Sequence, residues 1–137
     1  MPAEKAGCIF CRIASGEIPC HTVYEDAEFL GFLDIRPHNP GHVLLIPKRH
    51  YRWVDDVPAA GYFTVAQRVS RALKKALGAF SVTYLTLGFE VEHAHLHLIP
   101  RFEGDGHGGF IDWKNVKSLP DAEMKRIAGL VLKAARD

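Results

Sequence analysis

The stretch His93-Ala94-His95-Leu96-His97-Leu98-Ile99-Pro100 places three histidines in strict alternation with apolar residues. Successive side chains of a β-strand point to opposite faces, so the pattern predicts a strand with three imidazoles on one face and Ala94, Leu96 and Leu98 on the other. Side chains two residues apart in a strand stand about 6.6 Å from each other. The three imidazoles can therefore share one small anion or ion, and each is a possible nucleophile, proton donor or metal ligand.

Two other interpretations of the three histidines stay open. A histidine in a strand is commonly a core or surface residue without a chemical role, although strict alternation of three is unusual for such residues. Three histidines also form catalytic zinc sites. Against this second interpretation, side chains along one strand fan out in a row, whereas metal ligands converge.

Composition and charge favour a small domain that acts on a small ligand. The chain has 137 residues, of which 47% are hydrophobic, and this is enough for one ordinary core. A formal charge of +1 gives no electrostatic reason for a nucleic-acid or membrane surface. No apolar run approaches the roughly 20 residues of a membrane span, and residues 1–7 lack the hydrophobic region of a signal peptide. We therefore expect a cytoplasmic protein.

The hydrophobic pattern predicts an α+β domain. It has about five antiparallel strands, a short amino-terminal helix, one long helix and a carboxy-terminal helix. The short helix covers residues 9–14 and ends at Ser15-Gly16. Asp55, Asp56 and Pro58 are suited to the first turn of the long helix, which covers residues 62–80, and the last helix begins near Pro120. The expected strands are 22–25, 29–33, 42–47, 82–87 and 91–99.

Two of the three cysteines form the pair Cys8-x-x-Cys11. Such a pair is more often a metal half-site or a redox pair than part of a disulfide framework in a reducing compartment. A redox pair of the thioredoxin type follows a strand, and no strand precedes Cys8, so a metal half-site is favoured. Two unbonded buried cysteines are the alternative. Cys20 has no partner in the pattern and is interpreted as a packing residue.

The segment from His93 to Ile99 resembles the signature of the histidine triad (HIT) superfamily of nucleotidyl hydrolases and transferases. Four further segments resemble the bacterial and archaeal branch in the same order: Cys8-Ile9-Phe10-Cys11-Arg12-Ile13, Gly16-Glu17-Ile18-Pro19, Phe32-Leu33-Asp34-Ile35 and Gly41-His42-Val43-Leu44-Leu45-Ile46-Pro47-Lys48-Arg49-His50. The resemblance covers nearly the whole chain and implies a single HIT domain over residues 1–137. Because the third triad position is histidine and not glutamine, the chain resembles the hydrolases more than the uridylyltransferases.

The resemblance implies a role for each triad histidine. His95 would attack the α-phosphorus of a nucleoside 5'-phosphoryl compound, and water would then hydrolyse the covalent nucleotidyl-histidine. The backbone carbonyl of His93 would accept a hydrogen bond from the protonated ring nitrogen of His95. The other ring nitrogen of His95 would then be free to attack. His97 would contact the phosphate oxygens.

The resemblance also implies a nucleoside site and a metal site. Asp34 would hold the ribose hydroxyls, with Phe32 and Ile35 beside it, and an apolar wall for the base would come from Ile9, Phe10 and Ile13. Core packing is the alternative for Ile9 and Ile13. A structural Zn²⁺ would be bound by Cys8, Cys11, His50 and His93, a closed Cys2His2 set. No organic cofactor is implied.

The segment before the triad departs from the family pattern. Leu85-Thr86-Leu87-Gly88-Phe89-Glu90-Val91-Glu92 is shorter than the usual loop and lacks its asparagine, glutamine and serine. Because donors to the developing charge are commonly the largest catalytic contribution, we expect slow hydrolysis that depends on a good leaving group. Glu90 or Glu92 near the phosphate would oppose binding. Glu92 is expected to share the face of Ala94 and Leu96 and to need a partner.

Residues 106–113, glycine-rich and then aromatic, are expected to close over the site, with Trp113 near the leaving group, in a dimer contact or in the core.

The chain is interpreted as a homodimeric hydrolase of purine dinucleoside polyphosphates or nucleoside phosphoramidates. The dimer would use the helix around residues 62–80 and the following strand, with Leu85 or Leu87 in the contact. The rival is a nucleotide-binding regulatory protein with little turnover. A weaker third candidate is a metal-dependent enzyme that uses the three histidines as ligands.

Overall fold

The computed structural model describes residues 4–137. The first three residues, part of the stretch in which we expect no signal peptide, lie outside the described residues. One five-stranded antiparallel sheet has the strand order β1-β2-β3-β5-β4. The elements in chain order are α1 Ile9–Ala14, β1 Thr22–Glu25, β2 Phe29–Leu33, β3 Val43–Pro47, a 3-10 turn Val54–Asp56, α2 Ala59–Leu77, β4 Ser81–Leu85, β5 Leu96–Arg101 and α3 Asp121–Arg136. The predicted α+β architecture is confirmed.

The first half of the fold follows local sequence signals. The thiol of Cys8 caps α1 by accepting from the backbone N–H of Cys11, and Gly16 follows the helix with a positive φ of 86°. In the β1–β2 hairpin, the carboxylate of Asp26 accepts from the backbone N–H groups of Glu28 and Phe29, both at 2.7 Å. These local bonds explain why α1, β1 and β2 match their predicted ranges.

The long helix differs from its prediction in the placement of Pro58 and at its carboxy-terminal end. Pro58 is the N-cap residue and does not lie in the first turn, and the regular helix begins at Tyr62 because Ala60 and Gly61 have non-helical dihedrals. Gly78 ends the helix in the left-handed conformation, with φ at 73°. Phe80 therefore lies outside α2 and is 67% exposed.

The strand that carries the triad begins at Leu96, so the prediction of a strand from residue 91 is wrong. The backbone before Leu96 bonds to neighbours outside the β4–β5 ladder. The N–H of Ala94 donates to the carbonyl of Tyr51 at 2.7 Å, and the hydroxyl of Thr86 donates to the carbonyl of His95 at 3.0 Å. His93 and His95 thus precede the strand, where strict alternation of faces does not apply.

The two faces of the sheet have different partners. Alternate residues of β2 and β3, such as Leu33 and Leu45, join α2 and α3 in the main core. The residues between them form a second cluster with α1: Phe10, Leu30, Phe32, Leu44 and Ile46. The site described below lies on the α1 side. None of the helices in the described part of the chain combines the length and apolarity needed to span a bilayer.

Candidate functional site

A cavity of about 990 Å³ lies on the α1 side of the sheet. Its walls come from α1, the end of β2 with the loop after it, the loop before the triad, and the segment around Trp113. His95 and His97 both face it. This volume is near the upper end for a small-molecule site, so the cavity has room for more than a nucleoside monophosphate.

The imidazole of His95 is held in one tautomer. Its Nδ1 lies 2.7 Å from the carbonyl oxygen of His93, and because a carbonyl only accepts, Nδ1 carries the proton. Nε2 therefore keeps its lone pair, and the ring lines the cavity. Burial lowers the pKa of His95, although the charges of Asp34 and Glu90 oppose this shift. A neutral imidazole with a free lone pair is the state that a nucleophile requires.

The tautomer of His97 is set by His42, a residue that sequence reasoning missed. The backbone N–H of His38 donates to Nδ1 of His42 at 3.1 Å, so the proton of His42 is on Nε2. This Nε2 lies 2.9 Å from Nδ1 of His97. His97 then carries its own proton on Nε2, and burial lowers the pKa of His97 to about 4. His97 can therefore offer a neutral N–H donor to an anion in the cavity.

The side chain of His93 turns away from the other two triad imidazoles. Its Nε2 lies 2.8 Å from the carbonyl oxygen of Pro47, which leaves Nδ1 unprotonated and directed at the cysteine pair. The expectation that three imidazoles share one face is thus wrong for His93, because this residue lies before the strand. The three triad histidines do not converge as a metal-ligand set, which removes the geometric basis for a metal site made of all three.

Four side chains instead surround one point near α1. Nδ1 of His93 lies 3.4 Å from Sγ of Cys8 and 3.5 Å from Sγ of Cys11. Nδ1 of His50 lies 3.4 Å from Sγ of Cys11 and 3.2 Å from Nδ1 of His93. A tetrahedral zinc with ordinary bond lengths needs about 3.5 Å between sulfur and nitrogen and about 3.3 Å between nitrogens. The geometry of these four residues fits Zn²⁺.

Burial raises the pKa of the Cys11 thiol to about 11. A bound divalent cation is what would keep such a buried thiol deprotonated. The set is closed, with two thiols and two imidazoles, so a metal there would hold α1 against the segments that carry His50 and His93.

All six residues predicted for the nucleoside line the cavity: Ile9, Phe10, Ile13, Phe32, Asp34 and Ile35. Ile9 is 47% exposed and belongs to neither core cluster, whereas Ile13 packs against the second cluster. The carboxylate of Asp34 accepts from the backbone N–H of Arg36 at 2.9 Å. Burial raises the pKa of Asp34. Phe10 meets His95 edge to face, with 5.1 Å between the ring centroids.

The short loop before the triad is held from outside the cavity by Arg52, which donates to the carbonyl of Gly88 at 2.8 Å. Arg52 also pairs with Glu92 at 3.4 Å, and Lys5 lies 4.0 Å from the same carboxylate. The side chain of Glu92 is 62% exposed, so the expectation that it lies among apolar residues is wrong. Leu87 and Glu90 line the cavity. This loop therefore brings one carboxylate, that of Glu90, to the cavity.

Trp113 stands at another wall of the cavity. Its ring centroid lies 4.1 Å from that of His38 and 5.4 Å from that of His97. The side chain is 39% exposed, so the alternative of core burial is wrong.

Comparisons with sequence models, known proteins and solved structures all match the same family. A sequence model of the HIT domain matches residues 15–104. An uncharacterized HIT-like protein of Methanocaldococcus jannaschii is 40% identical, over 89% of this chain and 99% of the relative. A Zn-bound histidine triad family protein from Mycobacterium smegmatis superposes with a TM-score of 0.78 and 36% identity, over 95% of this chain and 94% of the other.

Two further relatives carry names that describe an activity. An adenosine 5'-monophosphoramidase of Saccharomyces cerevisiae is 35% identical, over 79% of this chain and 70% of the relative. An adenylylsulfatase of Arabidopsis thaliana is 39% identical over 72% of this chain, which spans about half (54%) of that longer relative.

Proposed function

The chain belongs to the HIT domain family, and from that membership we propose that it hydrolyses nucleoside 5'-phosphoryl compounds through a covalent nucleotidyl-histidine. One observation carries the proposal. Nδ1 of His95 donates to the carbonyl of His93, so Nε2 is unprotonated, and His95 lines the same cavity as the predicted nucleoside residues. The two named relatives, an adenylylsulfatase and a monophosphoramidase, support an AMP-linked substrate.

The reaction proceeds in two displacements at phosphorus. In the first, Nε2 of His95 forms a bond to the α-phosphorus while the bond to the leaving group breaks. In the second, a water oxygen bonds to phosphorus, the Nε2–phosphorus bond breaks, and one proton passes to solvent with release of the nucleoside monophosphate. His97 donates its Nε2–H to a phosphoryl oxygen in both steps, because His42 holds the opposite nitrogen of that ring.

The nucleoside half is held beside the phosphoryl group, because the carboxylate of Asp34 lies 3.7 Å from Nε2 of His42. Asp34 accepts hydrogen bonds from the ribose hydroxyls, and the base lies against Ile9, Phe10 and Ile13, with Phe32 and Ile35 nearby.

A structural zinc would be held by Cys8, Cys11, His50 and His93. It would thereby fix α1, which carries part of this wall. The Zn-bound relative and the distances among the four ligands support the zinc.

The experiment is incubation of the protein with a panel of adenylated anhydrides and amidates, followed by detection of AMP. Release of AMP by the native protein, and its loss in a His95→Ala variant that still binds AMP, is the expected result. If the native protein binds AMP and releases none from any compound, the rival function applies, namely a nucleotide-binding regulatory protein.

We also propose a homodimer built on α2 and the edge strand β4. Phe63 and Tyr84 form a ring pair with centroids 5.8 Å apart, and Phe63 is 58% exposed. β4 is the last strand of the sheet order, so one of its edges lacks a strand partner within the described chain. Sedimentation at micromolar concentration tests this. A monomer under those conditions contradicts the proposal.

A further inference from the structure

A series of aligned hydrogen bonds connects Lys117 with the cavity. The backbone N–H of Lys117 donates to the carbonyl oxygen of Pro37 at 2.7 Å. That carbonyl shares a peptide group with the N–H of His38, which donates to Nδ1 of His42 at 3.1 Å. Because a trans peptide group is planar, its C=O and N–H point in opposite directions, and the two bonds are aligned. Nε2 of His42 then donates to Nδ1 of His97 at 2.9 Å, so the series ends at an imidazole that lines the cavity.

The ammonium group of Lys117 holds the loop through which this series passes. Its Nζ donates to the carbonyl of His38 at 3.0 Å and to the side-chain oxygen of Asn39 at 3.2 Å. It also donates to the carbonyl of Asp105 at 2.8 Å. Burial lowers the pKa of the Lys117 ammonium, and the negative charge of Asp105 opposes this shift. Since its backbone already binds Pro37, this one lysine bonds to three consecutive residues of the loop.

Strand pairing does not hold this loop in place, because residues 37–41 lie after β2 and before β3. Lys117 itself lies outside residues 15–104, the segment that the HIT domain model matches. The carbonyl of His38 has a second donor in Nε2 of His107, at 2.7 Å. The side-chain oxygen of Asn39, a buried residue, depends on Lys117. Removing the ammonium group would leave that oxygen without its donor, which is costly for a buried acceptor, and we expect the loop to shift.

We propose that Lys117 is a positioning residue that keeps His97 protonated on Nε2, and so able to donate to a phosphoryl oxygen. The inference rests on the proposed function for the identity of that acceptor, whereas the tautomer of His97 is observable without a substrate. Aligned hydrogen bonds polarise one another, so each bond of the series makes His97 a stronger donor. If the bond from His42 is lost, Nδ1 of His97 can take the proton. The lone pair of Nε2 would then face the negative phosphoryl oxygens.

The test is Lys117→Met, which keeps an unbranched side chain and removes the ammonium group. Lys114→Met is the matched control, because Lys114 is an exposed lysine of the same segment and does not line the cavity. The NMR shifts of the imidazole nitrogens, recorded on the full chain near neutral pH, report which nitrogen of His97 carries the proton. AMP release from an adenylated anhydride gives kcat. Calorimetry with adenosine gives an affinity that does not include the phosphoryl contact.

We expect the native protein and Lys114→Met to hold His97 in the Nε2-protonated form. Lys117→Met should show a mixture of both tautomers, with adenosine affinity within twofold of native. Its kcat should fall about 10- to 100-fold, because His97 is then a donor for only part of the time, and outright loss of one such donor typically costs about 10²–10³ in rate.

The native tautomer in Lys117→Met overturns the inference, even where the thermal midpoint falls, because the lysine would then be merely structural. If Lys117→Met does not fold, Lys117→Gln takes its place under the same criterion. Failure of the native protein to release AMP from any adenylated compound would contradict the proposed function. The tautomer of His97 would still test the role of Lys117, and so the two failures are distinguishable.

Discussion

The carbonyl oxygen of His93 lies 2.7 Å from Nδ1 of His95, and the side chain of the same His93 faces the two cysteines. One residue thus joins the candidate metal centre to the candidate nucleophile. The backbone position of His93 sets the tautomer of His95, and the ligand position of its ring fixes that backbone. We therefore expect a change at the candidate metal centre to alter the position of the candidate nucleophile.

Replacing the nucleophile should separate catalysis from binding. We expect His95→Ala to reduce AMP release from adenylated substrates by at least about 10³-fold, because a two-step route through nitrogen is lost. AMP binding should persist, since Asp34 and most of the apolar wall do not contact His95; of that wall, Phe10 packs on the His95 ring. Turnover and calorimetric affinity are measured on the same preparation. Undiminished turnover in His95→Ala would show that another residue is the nucleophile.

Metal analysis should find about one zinc per chain. Replacing both Cys8 and Cys11 with serine should remove the metal and lower the thermal midpoint by several degrees or more, because a closed structural site contributes directly to folding. Cys20→Ser is the matched control, because Cys20 is not part of the cluster, and its zinc content should equal that of the native protein. A metal-free preparation with the native thermal midpoint would show that the four residues are not a structural zinc site.

The leaving group should strongly affect the rate. The short loop before the triad lacks the usual asparagine and serine, and loss of one donor to the developing charge typically costs about 10²–10³ in rate. His97 is a neutral donor, because burial lowers its pKa to about 4, so it cannot readily protonate a departing amine. We expect adenylated anhydrides to be cleaved faster than adenylated amines. Hydrolysis rates measured on one adenylated anhydride and one matched adenylated amine test this order. Faster cleavage of the amine contradicts the prediction.

Glu90 should hinder an anionic substrate. It lines the cavity, and its charge acts on His95. We expect Glu90→Gln to raise kcat/KM for an adenylated anhydride about 3- to 10-fold, most at low salt, since repulsion of the phosphate is removed. Glu92→Gln is the control from the same loop, because its carboxylate is paired outside the cavity with Arg52 and Lys5. Equal effects of the two changes would indicate a general charge effect.

Adenosine binding should weaken on mild acidification. The ribose hydroxyls need an ionised Asp34, and burial raises the pKa of that carboxyl above its ordinary value of 3.8. Affinity should therefore be constant near neutral pH and should begin to fall at a higher pH than for an exposed aspartate. Adenosine is used because it has no phosphate to titrate. Calorimetry between pH 4 and pH 8 measures this effect, and Asp34→Asn should show weaker binding without the same fall.

Local sequence signals determined most of the fold. The ranges of α1, β1 and β2 are as predicted, because a glycine, an Asx-type turn and short apolar runs act between residues close in the chain. Sequence motifs also predict the four possible zinc ligands and the six candidate nucleoside residues, and the structure brings each set together.

Only the tertiary structure decided where the triad side chains point. The segment before Leu96 forms hydrogen bonds with Tyr51 and Arg52 and does not pair with β4. For this reason His93 faces the cysteines, and Glu92 has charged partners. His42 and His97 are 55 positions apart in the sequence, yet their ring nitrogens lie 2.9 Å apart. The sequence contains both histidines, but their contact depends on the register of β3 against β5. That register is fixed by packing between distant segments, which no local pattern encodes.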